Sequence, residues 1–221
     1  EVWPHNGIIV ADTGFDWTTD YSLTVDSDDE ALLAFRDDRG GSERITIARI
    51  APTGAALWGP EGIQVDASSE FLGPPVIAST SDDRIVVAWT RGADVHVRKL
   101  DLAGQPLWAD DVTFPGEEGA SQFVADLQPT PDGGVIVSWV HSLGFYEPRH
   151  LRAQRLSPDG ASLWGEPAPD AGREPLAVFD QGTLQYGNFP PFVGDGEGGA
   201  VFAWYETDPV LQVRVQHVLA D

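Results

Sequence analysis

The chain has 221 residues and a formal net charge of −22, with 35 acidic and 13 basic side chains, 42% hydrophobic residues, 8 tryptophans, no cysteine and no methionine. That length and apolar content suit one large domain and exclude disorder, while the missing cysteines exclude disulfides, thiolate metal sites and cysteine nucleophiles. The negative field repels nucleic acid and anionic lipid, and no apolar run approaches the ~20 residues of a membrane span.

The first predicted strand is Val2–Val10, which carries Trp3 and runs into a loop, Ala11–Ser22. The apolar run Ala31–Phe35 follows the turn Ser27-Asp28-Asp29, and a further strand, ending near Arg49, leads to the turn Ala51-Pro52-Thr53-Gly54. Leu57–Val65 opens with Leu57-Trp58, Pro75–Thr80 is short and extended, and Ile85–Trp89 is rich in β-branched residues. Val95–Leu100 alternates, with Val95 and Val97 on one face and His96 and Arg98 on the other, the mark of a half-buried strand. The third copy carries Trp108, Val135–Trp139 behind Pro131-Asp132-Gly133-Gly134, and Leu151–Leu156 before Ser157-Pro158-Asp159-Gly160. The fourth carries Trp164, Ala200–Trp204 behind Gly196-Glu197-Gly198-Gly199, and Val213–Leu219.

Two aromatic series share one period. Trp3, Trp58, Trp108 and Trp164 lie 55, 50 and 56 residues apart; Phe35, Trp89, Trp139 and Trp204 lie 54, 50 and 65 apart. A period near fifty residues, with tight turns and no helical signal, points to an all-β β-propeller of four four-stranded antiparallel blades. The chain then forms a single domain, 1–221, with repeats of about 1–56, 57–106, 107–162 and 163–221. It begins with the strand type that ends a blade and stops at the one before it. Val2–Val10 is therefore expected to pair with Val213–Leu219 and close the ring, leaving no exposed edge.

The stretch Asp132–Trp139, then Leu151–Leu156, then Pro158–Gly165 (DGGVIVSW, LRAQRL, PDGASLWG) resembles the repeat of secreted bacterial β-propellers. The resemblance extends over all four copies and implies an extracellular propeller without an assigned activity. In four-bladed size the chain is also similar to hemopexin-like domains, but their repeat motif is absent. A start at Glu1 without any methionine reads as processing or excision from a longer exported protein.

Function is expected on the face that carries the long, variable loops: Ala11–Ser22, Asp66–Pro74, Thr113–Gln122 and Asp170–Pro190 between blades, and Arg36–Glu43, Thr90–Asp94, Val140–His150 and Tyr205–Val210 within them. Aromatic and acidic side chains gather there, and the candidate ligand-binding set is Asp16, Trp17, Tyr21, Phe145, Tyr146, Glu147, Tyr186, Tyr205 and Glu206. Aromatic rings pack on the C–H face of sugars while carboxylates accept their hydroxyls; the same set suits basic peptides. The periodic acids Asp28, Asp82, Asp132 and Glu197 supply too few oxygens for calcium and read as turn formers. No cofactor is expected, with calcium at these turns as the alternative reading. The periodic cations Arg49, Lys99, Arg155 and His217 are expected to pair with acids of the next blade.

No metalloprotease, nucleophile-elbow or phosphate-loop spacing occurs. Acid pairs such as Asp16 with Glu147 or Glu206 are the one catalytic arrangement the loops offer. The sequence therefore reads as a non-catalytic extracellular binding module, glycan-binding or adhesive, with a structural or protein-interaction module of a larger secreted assembly as the alternative and a glycosidase or lyase behind both.

Overall fold

The computed structural model describes residues 3–13, 20–144, 146–168, 172–207 and 210–221. All regular structure in them is β, in four successive antiparallel sheets. Sheet I is β1 (Tyr21–Val25), β2 (Ala31–Asp37), β3 (Arg44–Ile50) and β4 (Ile63–Ala67); sheet II is β5 (Val76–Ser79), β6 (Ile85–Arg91), β7 (Asp94–Leu100) and β8 (Val112–Phe114). Sheet III is β9 (Ser121–Pro129), β10 (Val135–Ser142), β11 (His150–Leu156) and β12 (Leu176–Phe179); sheet IV has three strands, β13 (Phe192–Gly194), β14 (Ala200–Glu206) and β15 (Gln212–Val218). Each sheet is a simple meander, and the β-branched runs expected at its second strand are buried on both sides in β6 and β10.

Neighbouring sheets stack face to face through three apolar interfaces. Leu32, Ala34, Ile45 and Ile47 of sheet I meet Ile77, Val87 and Trp89 of sheet II and Leu72 of the connection before β5. Val86, Ala88, Val95 and Val97 meet Val124, Leu127, Val137 and Trp139 of sheet III. Ile136, Leu151, Ala153 and Trp164 meet Phe192, Phe202 and Trp204 of sheet IV. The first strands line a common axis: the ends of β1, β5, β9 and β13 border one cavity of about 610 Å³ on the side of the tight turns.

The periodic residues explain how these units repeat. Asp26 accepts the backbone N–H groups of Asp28 and Glu30, and Asp195 those of Glu197 and Gly199; in sheets II and III the equivalent residues are Thr80 and Thr130, whose hydroxyls donate to Asp82 and Asp132. The turn acids also hold the periodic cations: Arg49–Asp26 at 2.9 Å, Lys99–Asp82 at 2.9 Å, Arg155–Asp132 at 2.8 Å and His217–Asp195 at 2.9 Å. These acids belong to the same sheet as the cation, which corrects the expected pairing with the next blade. The next sheet is reached through carbonyl oxygens instead: Arg49 donates to Leu102, Lys99 to Gly133 and Arg155 to Ala220.

The expected closing ladder is not formed. Residues 3–10 are not a strand; Trp3, Ile8 and Val10 pack on Phe35, Ala48 and Ile50 of sheet I, and no bridge joins them to β15 among the described residues. Among the described residues β15 pairs only with β14, and its other edge stays open.

Candidate functional site

The β10–β11 hairpin carries a long connection, of which residues 143–144 and 146–149 are described, on the loop face. The ladder register sets His141 directly opposite His150 at its base. Inside the connection the Ser142 hydroxyl donates to the Gly144 carbonyl at 2.7 Å, and the Glu147 N–H donates to the same oxygen at 3.2 Å. A second segment, residues 180–186, runs beside it. The Thr183 hydroxyl accepts the Arg149 N–H at 3.0 Å, the Leu184 N–H donates to the Arg149 carbonyl at 2.9 Å, and the fully buried Leu184 side chain anchors the segment in the sheet III–IV core.

Between these segments lies a groove of about 830 Å³, lined by Tyr146, Glu147, Arg149, His150, Asp180 and Tyr186 among others. It continues into a narrower recess of about 380 Å³, where Glu147, His150 and Asp180 are joined by Glu117, His141 and Arg152. The groove falls in the size range of ligand pockets. Tyr146 is 95% exposed and Tyr186 66% exposed; the Arg149 guanidinium lies 4.3 Å from the Tyr186 ring centroid, which steadies that ring. Deeper in, Arg152 lies 3.8 Å from Glu117. Burial, reinforced by Arg152, lowers the pKa of His141, so its imidazole is neutral at neutral pH. Among the described residues no group of three or more His, Asp or Glu is placed to hold a metal ion.

Of the nine candidate residues, the structure brings Tyr146, Glu147 and Tyr186 together in this groove. Tyr21 lies elsewhere, at the loop-face mouth of the axis with Pro75, Phe123, Asp126 and Phe189. Asp126 does not act freely there, because its carboxylate accepts the Leu127 and Phe192 N–H groups and the Gln128 amide. Tyr205 and Glu206 were expected in a loop, but β14 extends through both. Alternation then sends Tyr205 to the outer face of sheet IV, while Glu206, 4% exposed, is consumed by hydrogen bonds from Gln212 and Arg214. Asp16, Trp17 and Phe145 lie outside the described residues. The candidate set had omitted His150, Asp180, Thr183 and Arg149; the signal for the first was the pair of histidines bracketing one hairpin loop.

No family model matches the sequence, and no curated protein matches it. Solved structures do. The endo-arabinase from Bacteroides thetaiotaomicron has a TM-score of 0.52 at 9% identity, over 90% of this chain and 74% of that one. The putative exo-β-1,3-galactanase from Bifidobacterium bifidum has a TM-score of 0.51 at 12% identity, over 86% and 63%. The exo-β-1,3-galactanase from Phanerochaete chrysosporium has 0.51 at 11%, over 95% and 51%. The chain thus spans between half and three quarters of their length, and at such identities the likeness shows the fold alone. It nevertheless corrects the expectation of a non-catalytic module. That expectation rested on a repeat fold without a catalytic motif, and these structures are enzymes by name on the same fold. The lack of a local motif therefore carries no weight against catalysis here.

Proposed function

We propose that the chain is the body of a glycan-cleaving β-propeller, acting on an extracellular polysaccharide held in the Tyr146–Tyr186 groove. The observation that carries this reading is the convergence, in one groove, of two exposed tyrosine rings with the carboxylates of Glu147 and Asp180. Rings at this exposure offer platforms for sugar faces. Two carboxylates across a glycosidic bond can protonate the leaving oxygen and activate water or the anomeric carbon. Glu147 and Asp180 come from different segments, so a sugar chain lying between them would meet one on either side. His150 and Arg149 add donors for hydroxyl or carboxylate substituents. The enzyme names of the structural neighbours support the substrate class, and a chain without cysteine or methionine lacks the side chains that oxidants attack first, which suits an extracellular setting.

The test is release of reducing ends from arabinans, β-1,3-galactans and a broad set of other polysaccharides. Glu147→Gln and Asp180→Asn are each expected to lower the rate by about 100-fold or more with the fold intact, and Tyr146→Ala or Tyr186→Ala to raise KM by about 10-fold. Folded protein that releases nothing from any of these substrates would overturn the reading.

A further inference from the structure

Sheets II and III are covered on both faces, but the end sheets are not. On sheet IV the register Val193↔Val201, Ala203↔Val215 and Tyr205↔Val213 places these residues on one face. Val193, Val213 and Val215 there are 64%, 63% and 64% exposed. On sheet I, Tyr21, Leu23 and Val25 of β1 are 67%, 58% and 55% exposed. Two apolar walls of this kind are unusual on a finished surface.

We infer that a fifth antiparallel sheet of the same repeat fills the space between sheet IV and sheet I, with residues 3–10 of this chain as its outermost strand. The tryptophans carry the assignment. Trp58 precedes β4, the outermost strand of sheet I, and its Nε1 donates to Leu102 O on the last turn of sheet II. Trp108 precedes β8, the outermost strand of sheet II, and donates to Pro158 O on the matching turn of sheet III at 2.9 Å. Trp3 donates to Pro52 O, on the matching turn of sheet I, at 2.8 Å. By this rule Trp3 precedes the outermost strand of a sheet that comes before sheet I.

The residues after each tryptophan follow the same plan. Ile63 and Val65 pack into the I–II interface, Val112 and Phe114 into the II–III interface, and Ile8 and Val10 onto the front of sheet I. Sheet IV is not the missing owner of that strand, because no bridge links β15 to residues 3–10 among the described residues. The cations agree: Arg49, Lys99 and Arg155 each reach a carbonyl of the next sheet, whereas the structure shows His217 bonded to its own Asp195. A second copy of the chain is a poorer occupant. The four first strands already curl around one cavity, and a ring made of two such arrays would require a far wider axis.

The inference rests on the end sheets and not on the groove, so either can fail alone. The test joins a copy of residues 104–156, one outermost strand and the three strands of a following sheet, after Asp221. The unmodified chain is expected to bind the dye ANS. The extended chain should bind it several-fold less, melt about 5 °C or more higher and sediment as a monomer. Val213→Asp with Val215→Asp should leave the melting temperature of the unmodified chain within about 1 °C and lower that of the extended chain by several degrees. An unmodified chain that does not bind ANS overturns the inference. So does an extended chain with unchanged dye binding and melting. A discrete dimer of the unmodified chain, dissociated by the double variant, would make a second copy the occupant instead. If the extended chain does not fold, dye binding and sedimentation of the unmodified chain decide.

Discussion

Asp37, at the end of β2, has no exposed surface and is surrounded by donors. Burial alone would raise its pKa. The Arg39 side chain and backbone N–H and the Thr46 hydroxyl, all within 3.0 Å, outweigh it and hold the carboxyl at about 2. A folded value below the unfolded one means that the stabilisation is complete above about pH 4 and is lost as pH falls toward 2; its size is about 2 kcal/mol. His96 and His141 act earlier. Burial lowers both, with Arg91 and Arg152 as the next causes. Their contribution is present above the ordinary histidine value of about 6.5 and is lost as pH falls through and below it. Urea titrations at fixed pH should show stability declining first below about 6.5 and more steeply below about 4, and Asp37→Asn should flatten the second decline while costing about 3 kcal/mol at pH 7. Little of this was legible beforehand. A buried carboxylate among thirty-five looks like any other, and the His141–His150 pairing depends on a register that neither residue encodes alone. The polar residues after Tyr205 and Glu206 resemble turn chemistry and predict a loop there; the ladder with Gln212 and Val213 instead holds β14 to its end.

The turns that join each third strand to the next tryptophan are where element geometry is set. Gly160 takes φ +86°, and a Cβ there would stand 3.1 Å from the Trp108 ring. Gly160→Ala should therefore cost about 1–2 kcal/mol, combining left-handed strain with displacement of the ring. The same change at Gly119, φ +82° with open space around it, should cost about 1 kcal/mol or less; chemical denaturation separates the two. Lys99, 3% exposed, links its own turn acid to Gly133 O of sheet III. Lys99→Met should lower stability by about 1 kcal/mol, with Asp82 left partly in water. These elements were the legible part of the chain. Tryptophan spacing, Gly and Asp turns and β-branched runs are short-range signals, so strands, turns and their period followed from them. The partners of the periodic cations did not, because the acid of the same sheet and that of the next sheet occupy the same turn position of their repeats and only packing separates them.

At the scale of the whole chain, closure is where the structure departs from the sequence pattern. The matching strand types at the two ends suggested a self-closed ring, but whether residues 3–10 meet β15 depends on the angle that each sheet turns through, which no local pattern carries. The groove likewise arises from two segments, 143–149 and 180–186, brought side by side only when β12 pairs with β11. Sheet number and packing also rank the sheets by how easily each can open. Sheets II and III are clamped from both sides, whereas sheet IV leans on sheet III through one face and leaves an edge strand unpaired. Native-state hydrogen exchange should then run as a gradient, with amides of β6 and β10 persisting longest and those of β14 and β15 lost far sooner, through openings that leave the rest of the array intact. The same fraying would offer residues 212–218 to a protease before any other strand is cut, so limited digestion should begin at this end of the chain.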